Sequence, residues 1–277
     1  MLNSLLATHF SLLISLITKL MVKQQEAVFR QAYPAPPYWV ARFDVAYPPA
    51  PGAFVLVDLG GPLREALFPA SIDADRPSTV NGFTTMLPPH HPATRLLPGT
   101  TVDMLGPLGQ GFRIGDATRL LLVAETASLP PLLPLLEAAP SVALVIESPT
   151  RAQLPPTDRF PPTVELTLVT RDGSAGYLGP LESQDPAPAN LERVMPRLVE
   201  LIAWAECACF ACSNDRYPAL AALVRAARIQ PVPDFAQALV QVPMPCGVGA
   251  CEVCRTNTRA GEKHACIDGP VFDITSL

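Results

Sequence analysis

Two textures of apolar spacing run along the chain. Trp39, Ala41, Phe43, Val45 and Tyr47 recur at every second position with Arg42 and Asp44 between them. That period of two predicts a half-buried strand. Pro51-Gly52 reads as a turn, residues 54–59 as a second strand, and Ser71-Ile72 and residues 83–87 as further short strands. Pro98-Gly99 then turns the chain into another at 101–105. Short strands separated by Gly/Pro turns predict a small antiparallel β-barrel. Beyond Phe112 the pattern becomes one of continuous apolar runs, at 120–124, 142–146, 164–169, 207–212 and 238–242. Such runs fit strands covered on both faces. Between them lie predicted helices at 129–139, opened by Pro130 and Pro131, at 193–205 behind Asn190 as N-cap, and at 218–228. Alternating strand and helix predicts a doubly wound α/β domain.

Residues 1–22 carry no charge before Lys19, a length that just meets the requirement for a membrane span. The segment is two-sided, however, with Leu6, Phe10, Leu13, Ile17 and Leu20 on one stripe and Ser4, Thr8, Ser11, Ser15 and Thr18 on another. It is read as an amphipathic helix against a partner, or as a leader upstream of a start at Met21, in preference to a membrane contact.

Composition narrows the class. In 277 residues, 49% are hydrophobic and 16% charged, which describes a well-cored globular chain. A net charge of -5 without basic clusters argues against nucleic acid. Seven clustered cysteines do not suit a secreted disulfide scaffold and point to a reducing cytoplasm. The 33 prolines are scattered, as expected of stiff loops.

The chemistry concentrates at the tail. Cys246, Cys251 and Cys254 form a C-x4-C-x2-C spacing, and Cys266 follows after eleven residues. Three close thiolates with a distant fourth match the plant-type pattern for a [2Fe-2S] cluster. Gly247, Gly249 and Ala250 supply the lack of bulk that lets backbone N–H groups approach sulfur. Structural zinc also accepts four thiolates, although it usually draws on two close-spaced couples, and uncoordinated thiols are the third possibility. Cys207, Cys209 and Cys212 lie along one predicted strand, which keeps them from converging and makes them core filler. His264 could tune a cluster by a hydrogen bond, though an exposed turn is the plainer reading; His90 and His91 fall in a Pro-rich loop.

Residues 246–273 resemble the cluster domain of the dihydroorotate dehydrogenase B electron transfer subunits, relatives of ferredoxin reductases, most closely through Cys266-Ile267-Asp268-Gly269-Pro270-Val271-Phe272. Gly106-Pro107-Leu108-Gly109-Gln110-Gly111-Phe112 is similar to that family's flavin-domain boundary. The resemblance implies an N-terminal helix and linker at 1–37, an FAD-type barrel at 38–114, a nucleotide-type α/β domain at 115–242 and a [2Fe-2S] domain at 243–277. It implies FAD held near Ser71, Thr94, Gly106, Gly109 and Gly111, and a catalytic partner subunit carrying FMN, with pyrimidine biosynthesis as the setting. Electrons would pass between FAD, cluster and partner.

The residues depart from the family at two places. Its phosphate-pairing arginine before a Pro-x-Ser is Phe68 here, leaving Arg64 or Arg76 as nearby guanidiniums. The glycines of a dinucleotide-binding βα turn are replaced by Glu125-Thr126-Ala127-Ser128-Leu129-Pro130, and a later Cys-Gly-Pro by Cys212-Ser213-Asn214. NAD(P)H oxidation by this chain is therefore placed in doubt. The alternatives are a cluster-bearing electron-transfer adaptor that has lost FAD and NAD binding, and a zinc-stabilised interaction module.

Overall fold

A computed structural model describes residues 23–70, 82–228 and 233–277. The first domain is a six-stranded antiparallel sheet of β1 (Gln24–Ala35), β2 (Tyr38–Asp44), β3 (Phe54–Val57), β4 (Glu65–Leu67), β5 (Gly82–Leu87) and β6 (Thr101–Leu108), in the order β4-β3-β6-β1-β2-β5. The chain leaving β4 returns to the opposite edge, where Ala70 N donates to Thr84 O at 2.8 Å and brings the sheet round into a barrel. At its centre Phe29 meets Phe43 edge-to-face and Phe43 stacks on Phe83, at centroid separations of 5.4 and 5.7 Å, with Val55, Val57 and Met104 completing the core.

The barrel begins earlier than the sequence pattern places it. Residues 24–35, read as linker, form β1 and pair with both β2 and β6. The alternation is present but disguised, because Gln25, Ala27 and Phe29 point inward and only one of the three is a large apolar residue. Gln25 is buried at no loss of hydrogen bonding: its amide donates to Tyr47 O and Gly106 O at 3.1 and 3.0 Å and accepts from Tyr47 N at 3.0 Å. The segment 1–22 and the strand at Ser71-Ile72 lie outside the described residues.

The second domain is a seven-stranded sheet. β7 (Arg119–Glu125), β8 (Ser141–Ser148), β9 (Val164–Thr170), β10 (Tyr177–Leu178), β11 (Cys207–Ala211) and β12 (Ala236–Leu239) are parallel, in the order β10-β9-β8-β7-β11-β12. Helices α1 (Val194–Trp204) and α2 (Tyr217–Ala227) bury Leu198, Ile202, Leu220 and Val224 against one face. The opposite face is covered by barrel residues Tyr38, Val40 and Met86 and by the segment after β7. That segment is a 3-10 helix at Pro130–Leu135, not the α-helix expected over 129–139. Pro134 within it has no N–H to donate to a carbonyl one turn back, so the i→i−4 ladder cannot run through it. Arg193, not Asn190, is the N-cap of α1, and it makes no side-chain cap bond.

The tail forms a two-stranded hairpin, β13 (Arg255–Thr258) and β14 (Gly261–His264). Its last strand, β15 (Val271–Asp273), then joins the large sheet antiparallel to β12.

Candidate metal centre and the carboxyl edge of the sheet

The hairpin explains how Cys266 reaches Cys254 across eleven residues. Arg255 pairs with His264 in register, Ala265 N donates to Cys254 O at 3.0 Å, and the two sulfurs end 3.3 Å apart. Cys246 and Cys251 form the other pair within the preceding loop, near enough for the Cys251 side chain to help lower the Cys246 thiol. Gly247 and Gly249 sit at φ +68° and +72°, which lets the loop curl its amides inward. Partial burial pushes the Cys246 thiol up, but the N–H groups of Val248, Cys251 and Ala250 aimed at it outweigh this and bring it down to about 7. Gly249 N donates to Cys266 Sγ at 3.2 Å, while burial and the hydrogen bond with Cys254 push the Cys266 thiol up to about 12. Among the described residues no three Cys, His, Asp or Glu side chains converge on one point as a single metal ion would require. Two thiol pairs, ringed by N–H donors, fit a diiron cluster with two cysteines on each iron better than one tetrahedral zinc.

Cys254 and Cys266 are buried against barrel residues Phe54, Leu56 and Leu108. Cys251 is exposed, and Val248, Val253 and Ile267 stand at the surface within the same loops. Cys207 and Cys209 face one side of the large sheet and Cys212 the other, all within packed cores as expected.

The residues expected around FAD are engaged with the protein itself. A Cβ on Gly106 would meet Val55 at 3.0 Å, on Gly109 the Gly269 carbonyl at 2.7 Å, and on Gly111 the Pro51 carbonyl at 2.4 Å. Their lack of bulk therefore serves close approaches within the barrel at Gly106 and Gly111 and a crossing between barrel and tail at Gly109. Thr94 Oγ1 donates to His91 O at 2.7 Å inside the 3-10 turn at Pro92–Arg95. Phe68 packs on Phe54 at 5.7 Å, and Arg64 is paired with Asp103. Ser71 and Arg76 lie outside the described residues. Of the expected FAD contacts, Gly106 N donates to Lys23 O at 2.8 Å and the Thr94 hydroxyl is bonded within its own turn. His91 is no bystander in its loop, for its Nε2 lies 2.7 Å from Glu65 Oε2.

At the carboxyl edge of the parallel sheet an ion-pair network appears that residue spacing did not reveal. Arg216, buried at the start of α2, contacts Glu125 at 2.8 Å, Glu147 at 2.9 Å and Glu182. Arg171 adds contacts of 2.5 Å to both Glu125 and Glu147. The sequence signals are Glu125 and Glu147, carboxylates that each close an apolar run.

Comparison with known proteins places these features. Residues 243–277 match the family described as the iron-sulfur cluster binding domain of dihydroorotate dehydrogenase B. The electron transfer subunit of dihydroorotate dehydrogenase B (NAD(+)) from Bacillus caldolyticus is 32% identical over 185 residues, covering 63% of this chain and 64% of that protein. The corresponding subunit from Caldanaerobacter subterraneus subsp. tengcongensis is 26% identical over 237 residues, covering 81% of this chain and 85% of that one. This chain resembles the dihydroorotate dehydrogenase B electron transfer subunits. It spans less than two thirds of the Bacillus caldolyticus relative's length. The fold is shared more widely. An NADH-dependent reduced ferredoxin-NADP oxidoreductase superposes with a TM-score of 0.66 at 20% identity, covering 90% of this chain and 88% of that one. A ferredoxin-NADP+ reductase from Plasmodium falciparum does so with 0.56 at 9%, covering 80% and 98%. The architecture is thus ferredoxin reductase-like, an FAD-type barrel and an NAD-type α/β domain, with a C-terminal iron–sulfur module.

Proposed function

We propose that this chain is the electron-transfer subunit of an iron–sulfur oxidoreductase, passing single electrons to or from a flavin-bearing partner subunit. By likeness the partner would be a dihydroorotate dehydrogenase carrying FMN, and the pathway pyrimidine biosynthesis. The observation that carries the reading is the two-pair arrangement of Cys246 with Cys251 and Cys254 with Cys266. These four thiolates would hold a [2Fe-2S] cluster, which supplies a one-electron carrier. The chain's own contribution is to fix the thiols on a hairpin and a glycine loop, turn amides toward sulfur, and seal the inner pair against Phe54, Leu56 and Leu108. The exposed side of the loop, with Cys251 amid Val248, Val253 and Ile267, suits a partner that must come close for electron tunnelling. All seven cysteines are free, in keeping with a cytoplasmic setting. No helix among the described residues is long and apolar enough to cross a membrane.

An anaerobic absorption spectrum with iron, acid-labile sulfide and flavin quantified tests the reading. About two irons and two sulfides per chain are expected. One zinc without sulfide would replace it by an interaction module. A cluster without flavin even after FAD is supplied would make the chain a relay without its own flavin.

A further inference from the structure

In an open parallel sheet, ligands bind outside the carboxyl ends of the strands, where the strand order reverses. Here the reversal lies between β7 and β11, since the chain steps outward through β8, β9 and β10 on one side and through β12 on the other. A dinucleotide placed there requires free backbone N–H groups at a helix N-terminus and freedom from facing carboxylates. Here the turn is short and rich in proline, and carboxylates face it.

The turn after β7 is two successive 3-10 segments, Thr126–Ser128 and Pro130–Leu135, and Pro130 and Pro131 have no N–H to give. Its polar groups are bound from three directions. Tyr38 Oη donates to Thr126 O, Thr126 Oγ1 donates to Glu147 O at 3.2 Å, and Gln241 Nε2 donates to Ser128 Oγ at 2.6 Å. Across the reversal point itself, Glu125 accepts from both the N–H of Ser213, at 2.7 Å, and its hydroxyl. The two strand ends between which a pyrophosphate would lie are therefore bridged by a carboxylate.

The guanidinium nearest to hand is fully committed. Arg216 makes five contacts: Nε to Glu182 at 3.1 Å, Nη1 to Glu125 at 2.8 Å and Glu147 at 3.0 Å, and Nη2 to Glu147 at 2.9 Å and to Glu182. Five contacts match the five N–H groups of an arginine, so none remains for a phosphate. Three carboxylates, Glu125, Glu147 and Glu182, face two guanidiniums, Arg171 and Arg216, and the cluster is left with one excess negative charge.

We infer that this ion-pair clasp stands where a nicotinamide dinucleotide would bind in a sheet of this type, and that the chain takes no hydride from NADH or NADPH. Under the electron-transfer reading, on which this last step rests, its electrons come from or go to carriers held by protein partners.

The test is a titration of the purified full-length protein with NADH and with NADPH. Nicotinamide fluorescence is followed in the titration, with thermal unfolding recorded at the highest concentration. No saturable binding up to about 1 mM and an unchanged Tm are expected. Saturable binding of either nucleotide below about 1 mM overturns the inference. The two readings fail separately. Nucleotide binding would remove the clasp argument and leave the cluster relay intact. A protein that takes up no iron would end the relay while the titration still reads the nucleotide-type domain.

Discussion

Replacing Arg216 by methionine probes the clasp most directly. Arg216 and Glu147 expose only 7% and 1% of their side chains, so the pair is held away from solvent screening. Methionine removes the guanidinium from all three carboxylates. Arg171 still reaches Glu147 and Glu125 at 2.5 Å, and Leu181 N still donates to Glu147 Oε2 at 2.8 Å. Removing one partner of a buried ion pair costs about 3–5 kcal/mol, chiefly because the other charge is left buried. The contacts that survive place Arg216→Met near the lower end, about 3 kcal/mol, or roughly a hundredfold in the unfolding equilibrium. Urea unfolding followed by tryptophan fluorescence measures it, since Trp204 in α1 reports this domain and Trp39 the barrel. The double variant Arg216→Met/Glu147→Met is expected to lose at least about 1 kcal/mol less than the sum of the two single variants, as directly paired residues couple. A loss below about 1 kcal/mol for the single variant, or strict additivity in the double, would refute the reasoning.

Three further outcomes follow from the same contacts. Burial opposes ionisation of Glu125, but hydrogen bonds from Ser213 and Arg216 outweigh it and hold the carboxyl below its ordinary 4.5. A depressed folded pKa gives stability that is complete above the ordinary, unfolded value and is lost as pH falls from there through the folded pKa. Urea midpoints should therefore drop below pH 4.5, less so in Glu125→Gln, and an identical acid limb in both proteins would count against it. Cys254→Ser or Cys266→Ser should abolish the cluster absorption, whereas Cys209→Ala, in the sheet core, should leave it unchanged; visible spectra of the three variants decide. Gly109→Ala, whose Cβ would meet the Gly269 carbonyl and the Pro270 ring at 2.7 Å, should cost about 1–3 kcal/mol beyond Gly99→Ala, a second left-handed glycine with nothing within 4 Å, and equal thermal shifts would contradict this.

Much of the architecture was legible because its signals are local. The strand centred on Phe43 announces itself by period two, and the run at 120–124 by unbroken apolarity, matching burial on both faces of the sheet. The four tail cysteines carry their chemistry in their spacing. What stayed hidden depends on contacts between distant residues. β1 reads as polar because Gln25 satisfies its amide with partners 22 and 81 positions away. Pro134 was the overlooked signal against an α-helix after β7, since Pro130 and Pro131 alone suit a first turn. Arg171, Glu182 and Arg216 look like ordinary surface charges until the fold brings them together. The glycines at 106, 109 and 111 were legible as positions that exclude a side chain, but not as to whether a cofactor or the chain's own backbone comes close.

The segment around Gly269-Pro270 has a bearing on how such a module could be inherited or transplanted. Gln110 N donates to Gly269 O, Val240 N to Pro270 O at 2.8 Å, and β15 completes the edge beyond β12. One short stretch is thus riveted to the barrel exit, to the last parallel strand and to the cysteine hairpin at once. The cysteine module is not a cassette on a tether, and grafting residues 243–277 onto a foreign host would carry the ligands while leaving behind the surfaces that hold them in register. Conversely, cutting them away would bare the edge of β12, whose residues are all buried in the intact fold, to pairing with another chain.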